Sequence, residues 1–146
     1  MKGFQTFYLW GMHAKFFMGL YFAAMVFLAG ILVAVYGGDS LPLMTLLQMF
    51  LVSIVLAFSQ VLILPARVDF SRGILFGRSL LWLALATVCV VAVALLGGWF
   101  AGLPSWCPWL MGGFMLFGCA AMLVGIKFEQ NADTIHLNDQ LKHYQR

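Results

Sequence analysis

Apolar residues run through this chain in four long blocks, over 16–36, 43–64, 79–100 and 109–126, separated by shorter polar, glycine-rich or proline-bearing breaks. A helix rises about 1.5 Å per residue, so each block is long enough to cross or nearly cross a hydrocarbon layer about 30 Å thick. Uninterrupted runs of this kind cannot all enter one small water-soluble core. The pattern predicts an all-α polytopic membrane protein with four transmembrane helices.

The breaks carry turn chemistry where the backbone meets water. Gly37, Gly38, Asp39, Ser40 and Pro42 follow the first block, Pro65 the second, and Gly97, Gly98, Gly102, Pro104 and Pro108 the third. Lys2 and Lys15 precede the first block, as basic residues precede a secretory signal. That block is longer than a signal core and turns directly into another span, so it is expected to be retained.

Within the blocks, small and polar residues mark the faces available for packing. At 100° per residue, Gly19, Ala23, Gly30 and Ala34 share a narrow stripe of the first helix, and Gly118, Ala121 and Gly125 do so on the fourth. Either intramolecular packing or a homo-oligomer interface would use such stripes. The second helix is the most polar: Ser53, Ala57 and Gln60 share one face, and Gln48 and Ser59 another. Gln48, Ser53 and Gln60 are expected to hydrogen-bond between helices, since an amide in lipid seeks a partner.

Charge then adds orientation. The chain is 64% hydrophobic and 9% charged, and three of its eight basic residues, Arg67, Arg72 and Arg78, crowd into twelve positions between the second and third blocks. Lys2 and Lys15 flank the first block, and Lys127, Lys142 and Arg146 follow the fourth. All eight therefore fall on one side of a four-span layout, while the opposite loops carry only Asp39. Basic residues in short loops stay in the cytoplasm, which predicts both termini inside a plasma or inner membrane. Trp99, Trp106 and Trp109 fall at the other face, as an outer aromatic belt would. With the net charge of +3 accounted for by orientation and anionic lipid, direct nucleic-acid binding is not expected.

Candidate chemistry is sparse. No Asp, Glu, Lys or His sits at mid-membrane depth, where coupled carriers and pumps place one, and His13 reads as an interfacial residue. Cys89, Cys107 and Cys119 form no CxxC pair and match no metal-ligand spacing. Ser79 and Ser105 have no adjacent base, and Glu129, Asp133 and Asp139 lie among the amides and basic residues of a solvated segment. "GILFG" at 73–77 lacks the lysine and strand context of a phosphate loop. The expectation is a non-enzyme without cofactor or metal.

The chain divides on this reading into a bundle over 1–128 and a cytoplasmic tail helix over 129–146. Asn131 or Asp133 would cap the tail helix, after which Leu137, Leu141 and Tyr144 fall on one stripe. That stripe suits folding back on the bundle, lying on the lipid surface, or binding another protein.

The short basic amino terminus, the four spans, "GRSLLW" opening the third, "GWF" near its end, and the tail "LNDQLKHYQ" together resemble a family of small bacterial four-helix membrane proteins of largely unknown function. Its members are commonly encoded beside LytTR-type DNA-binding regulators. The resemblance implies a non-enzymatic membrane protein that tethers or inhibits a cytoplasmic transcription regulator. Partner contacts would then be electrostatic at Arg67, Arg72 and Arg78 and apolar at Leu137, Leu141 and Tyr144. A homo-oligomeric channel or transporter subunit, with the second helix's amides along a pathway, is the competing class. An accessory subunit of a larger membrane complex is another.

Overall fold

The computed structural model describes residues 2–64 and 72–144. Four helices follow one another: α1 (Lys2–Val35), α2 (Leu43–Ile63), α3 (Arg72–Leu96) and α4 (Cys107–Tyr144). All four are long and apolar enough to cross a membrane, and no strand occurs among the described residues. Only 22% to 33% of the most apolar window of each helix is buried inside the chain, so most of its apolar surface is left exposed, an arrangement compatible with helices that face lipid.

The helix ends obey backbone chemistry more closely than hydropathy does. At about 1.5 Å per residue, α1 extends roughly 51 Å and α4 roughly 57 Å, whereas α2 extends about 32 Å and α3 about 38 Å. The sequence predicted the first span from residue 16, but α1 begins at Lys2. No proline falls between Phe4 and Lys15, and the lone Gly11 weakens a helix without ending it, so Lys15 marks a change of polarity inside α1 and not its start. The C-termini of α1 and α3 close on left-handed glycines, Gly37 at φ 80° and Gly98 at φ 60°. Beyond them the N–H of Gly38 bonds the carbonyl of Val33, and that of Trp99 the carbonyl of Ala94, a capping arrangement that satisfies the last free carbonyls. This cap ends α3 at Leu96, short of the predicted Phe100.

Two compact units emerge, Met1–Leu116 and Phe117–Arg146. In the first, α1 packs along α2 and α2 along α3. The inward face of α1 is Ala14, Tyr21, Met25, Ala29 and Leu32, all buried at spacings of three, four and seven. Rings lock the α1–α2 seam: Trp10 meets Phe58 with centroids 4.8 Å apart, and Phe22 meets Phe50 edge-on at 5.7 Å. The first turns of α4 approach α3 closely, since a Cβ on Gly112 would run into the Val91 side chain and lie 3.6 Å from Thr87 Cγ2. Tyr36, just past α1, reaches Trp106 at 6.4 Å, joining the two loops at that end.

The second unit is the remainder of α4. No new helix is capped at Asn131 or Asp133, because α4 runs unbroken from Cys107 to Tyr144. The predicted separate tail helix is the continuation of the fourth span. With no proline or glycine beyond Gly125, the helix has no reason to stop where its composition turns polar.

Candidate functional site

The polar groups of the first unit gather at two levels along α2. Near its C-terminal end, Gln60 is turned into the bundle with 3% of its surface exposed. Its Oε1 accepts a hydrogen bond from the hydroxyl of Tyr21, itself buried on the inward face of α1. Trp82 of α3 stands beside this pair, fully buried, its ring 6.0 Å from that of Tyr21. Three helices thus meet at one polar centre. Its indole Nε1 has no hydrogen-bond acceptor among the described residues. Leaving a buried donor unmatched costs about 1–3 kcal/mol, so this atom is an anomaly in an otherwise well-matched interior.

Nearer the start of α2, Gln48 Oε1 accepts from Trp99 Nε1 at 2.7 Å. Trp99 lies in the turn after α3 and is 3% exposed. It therefore faces the protein and does not join an outer aromatic belt, whereas Trp106 and Trp109 are exposed. Ser53 was expected to bond between helices, but its hydroxyl donates to the Phe50 carbonyl of its own helix at 2.6 Å. Ser59 does the same to Leu56 and Thr87 to Leu83. A short hydroxyl side chain reaches the carbonyl three or four residues back before it can reach a neighbouring helix.

The small-residue stripes face outward. Gly19, Ala23 and Ala34 are exposed and Gly30 half-buried on α1, as are exposed Gly118, Ala121 and Gly125 on α4. A Cβ on Gly19, Gly30, Gly118 or Gly125 would meet nothing within 4 Å. Within the first unit, packing leaves most of the α1 stripe uncovered. On α1 the inward face is taken by larger residues, Tyr21, Met25 and Leu32, whose burial removes more apolar area from lipid contact and fills the seam with α2.

The expected partner-binding residues divide. Arg67 lies outside the described residues. Arg72 opens α3 and Arg78 lies in its second turn, half-buried, so neither is in a loop. The helix starts early because the intervening Ile74, Leu75 and Phe76 extend the apolar run of the span. Leu137, Leu141 and Tyr144 are exposed along the end of α4, at 60%, 57% and 90%.

Comparison with known protein families, curated proteins and solved structures finds no match. Chemistry is accordingly read from these side chains alone. Cys89, Cys107 and Cys119 carry free thiols. Among the described residues no three His, Cys, Asp or Glu side chains gather closely enough to hold a metal ion. What the polar centres can do is fix three helices to one another and present hydrogen-bond donors inside an apolar bundle. What the end of α4 can do is present a narrow apolar stripe on a charged helix.

Of these features Gln48 and Gln60 were legible from sequence, but their partners were not. Tyr21 is the one hydroxyl in the middle of the first apolar block, and that isolation was the available signal. Trp82 and Trp99 gave none, because an indole is as common on a lipid-facing surface as inside a bundle.

Proposed function

We propose that the protein is a non-enzymatic membrane anchor that tethers or inhibits a cytoplasmic LytTR-type transcription regulator through the end of α4. The observation that carries the reading is the length of α4. At 38 residues it exceeds the about 20 that cross a bilayer, and its last turns expose Leu137, Leu141 and Tyr144 along one stripe. An apolar stripe on a charged helical segment suits the groove of a partner protein. Both termini are cytoplasmic in this reading, as the distribution of Lys and Arg favours, and DNA is contacted only by the partner. The pore alternative gains nothing from α2: its two buried or half-buried amides are engaged with Tyr21 and Trp99, and Ser53 is bonded within its own helix.

Replacing Leu137, Leu141 and Tyr144 together with Ser, Ser and Gln tests the reading. The variant should remain in the membrane fraction, because these residues are exposed and lie past the apolar part of the helix. It should lose a co-purifying LytTR-type regulator from mild detergent and change transcription of that regulator's targets. Each contact, if buried in the complex, contributes about 1.5–3 kcal/mol, so the triple change should weaken binding by more than a hundredfold. Unchanged transcription with altered solute flux would refute the proposal in favour of the pore.

A further inference from the structure

An open groove of about 600 Å³ runs along the outer face of α1, lined by Met12, Lys15, Phe16, Gly19, Leu20 and Ala23. All six residues are exposed. Gly19 and Ala23 make its floor because they carry little or no side chain, with Phe16 and Leu20 along one edge and Lys15 on the other.

The packing of α1 on α2 sets the depth of this groove. Lys15 lies between Trp10 and Tyr21, which touch Phe58 and Gln60. Its backbone therefore stands beside the last two turns of α2, roughly one turn, or about 5 Å, before that helix ends at Ile63. The 21 residues of α2 match the thickness of a hydrocarbon layer. With α2 across the bilayer, the Lys15 stem starts just inside the hydrocarbon. Helical side chains tilt toward the N-terminus, so its ammonium emerges at the level of lipid phosphates. Tyr8, exposed two turns nearer the N-terminus on the same face, adds a hydroxyl at that level.

We propose that this groove binds one anionic phospholipid, with its phosphate at Lys15 and an acyl chain laid over Gly19 and Ala23. Charge complementarity selects this occupant. No Asp or Glu occurs in α1, α2 or α3, so no carboxylate of these helices competes for Lys15. The path from Lys15 to Ala23 is about 12 Å, which fits within the about 15 Å depth of one leaflet. A second copy would also suit the small floor, but two copies in one bilayer run in the same direction. A twofold pairing on this face would bring the two Lys15 side chains together at one depth, with no acid from these helices between them. A phosphate supplies the charge that a second copy lacks.

The test is native mass spectrometry of the full chain in mild non-ionic detergent, titrated with phosphatidylglycerol or with phosphatidylcholine of the same acyl chains. One phosphatidylglycerol should be retained per chain with an about fivefold preference over phosphatidylcholine, the factor that one basic residue supplies at an anionic surface. Lys15→Gln should bring the two lipids within twofold of each other, whereas Lys142→Gln, which removes the same charge from the end of α4, should leave the preference intact. Gly19→Leu fills the floor and should weaken both lipids at least severalfold, with an unchanged SDS unfolding midpoint reporting an intact fold. Equal retention of the two lipids by the unaltered chain, or a preference that survives Lys15→Gln, would overturn the proposal. Displacement of the bound lipid by inorganic phosphate would overturn it by assigning Lys15 to a free anion. A dimer mass that is lost in Gly19→Leu would do so by assigning the groove to a second copy.

Discussion

Removing the acceptor from the Tyr21–Gln60 contact should cost more than removing both partners would suggest. Gln60→Met keeps nearly the same length and volume but deprives the Tyr21 hydroxyl, buried on α1, of the Gln60 oxygen. Hydrogen bonds between membrane helices average about 0.6 kcal/mol and reach about 1.7. A buried hydroxyl deprived of its acceptor adds a desolvation cost, for a total of about 1–3 kcal/mol. Tyr21→Phe keeps the ring against Trp82 and should cost about 1 kcal/mol. In the double variant neither polar group faces a missing partner, so its cost should fall short of the sum by about 1 kcal/mol. Reversible unfolding in mixed micelles, titrated with SDS and followed by Trp fluorescence, reads all four corners of the cycle. A double variant whose cost equals the sum within about 0.4 kcal/mol would refute a direct coupling between the two side chains.

Glycines at two positions should respond oppositely. Gly97→Ala places a methyl on Gln48 Oε1, 2.8 Å from the Val93 carbonyl oxygen and 3.0 Å from Trp99 Nε1, and should destabilise the protein by about 1–3 kcal/mol in the same titration. Gly19→Ala, with open space around it, should be neutral or stabilising by up to about 1 kcal/mol in that titration. A cysteine at Ser40 should react with an impermeant reagent on whole cells and one at Ser71 only after lysis, in a background lacking the native cysteines; the reverse pattern would invert the orientation proposed from the basic residues. Replacing Cys89, Cys107 and Cys119 with alanine or serine should leave insertion and any bound metal content unchanged by elemental analysis, with at most a modest packing loss at the two buried positions.

The number of helices was legible because each apolar block exceeds what a soluble core can hide, and the breaks carry glycines and prolines with definite backbone roles. Gly37 and Gly98 do at the ends of α1 and α3 what their positions in the sequence suggested. Helix length was not legible from hydropathy. Lys15 and Lys127 mark where side chains meet water, whereas backbone hydrogen bonding continues in water as readily as in lipid when no breaker intervenes, so α1 and α4 overrun their apolar blocks. The small-residue stripes misled for a related reason. Periodicity identifies a face without saying what lies against it, and on α1 the larger Tyr21, Met25 and Leu32 took the inward side. At the polar centre, Gln60 announced itself by its cost in lipid, but the identity of its partner depended on which helix was brought beside it.

The two amide contacts of α2 have a mechanical consequence. Gln48 and Gln60 are twelve residues apart, about 18 Å along the axis and roughly 120° around it, and each is tied to a different neighbour, Trp99 and Tyr21. A helix pinned at one point can swivel, and one pinned twice along a single line can still roll. Pinned at two depths and on two sides, α2 can neither slide like a piston nor turn like a key without breaking one of the two bonds. Stretching or thinning of the bilayer must then tilt α1 and α2 together as one strut, carrying the turn at Trp99 with them.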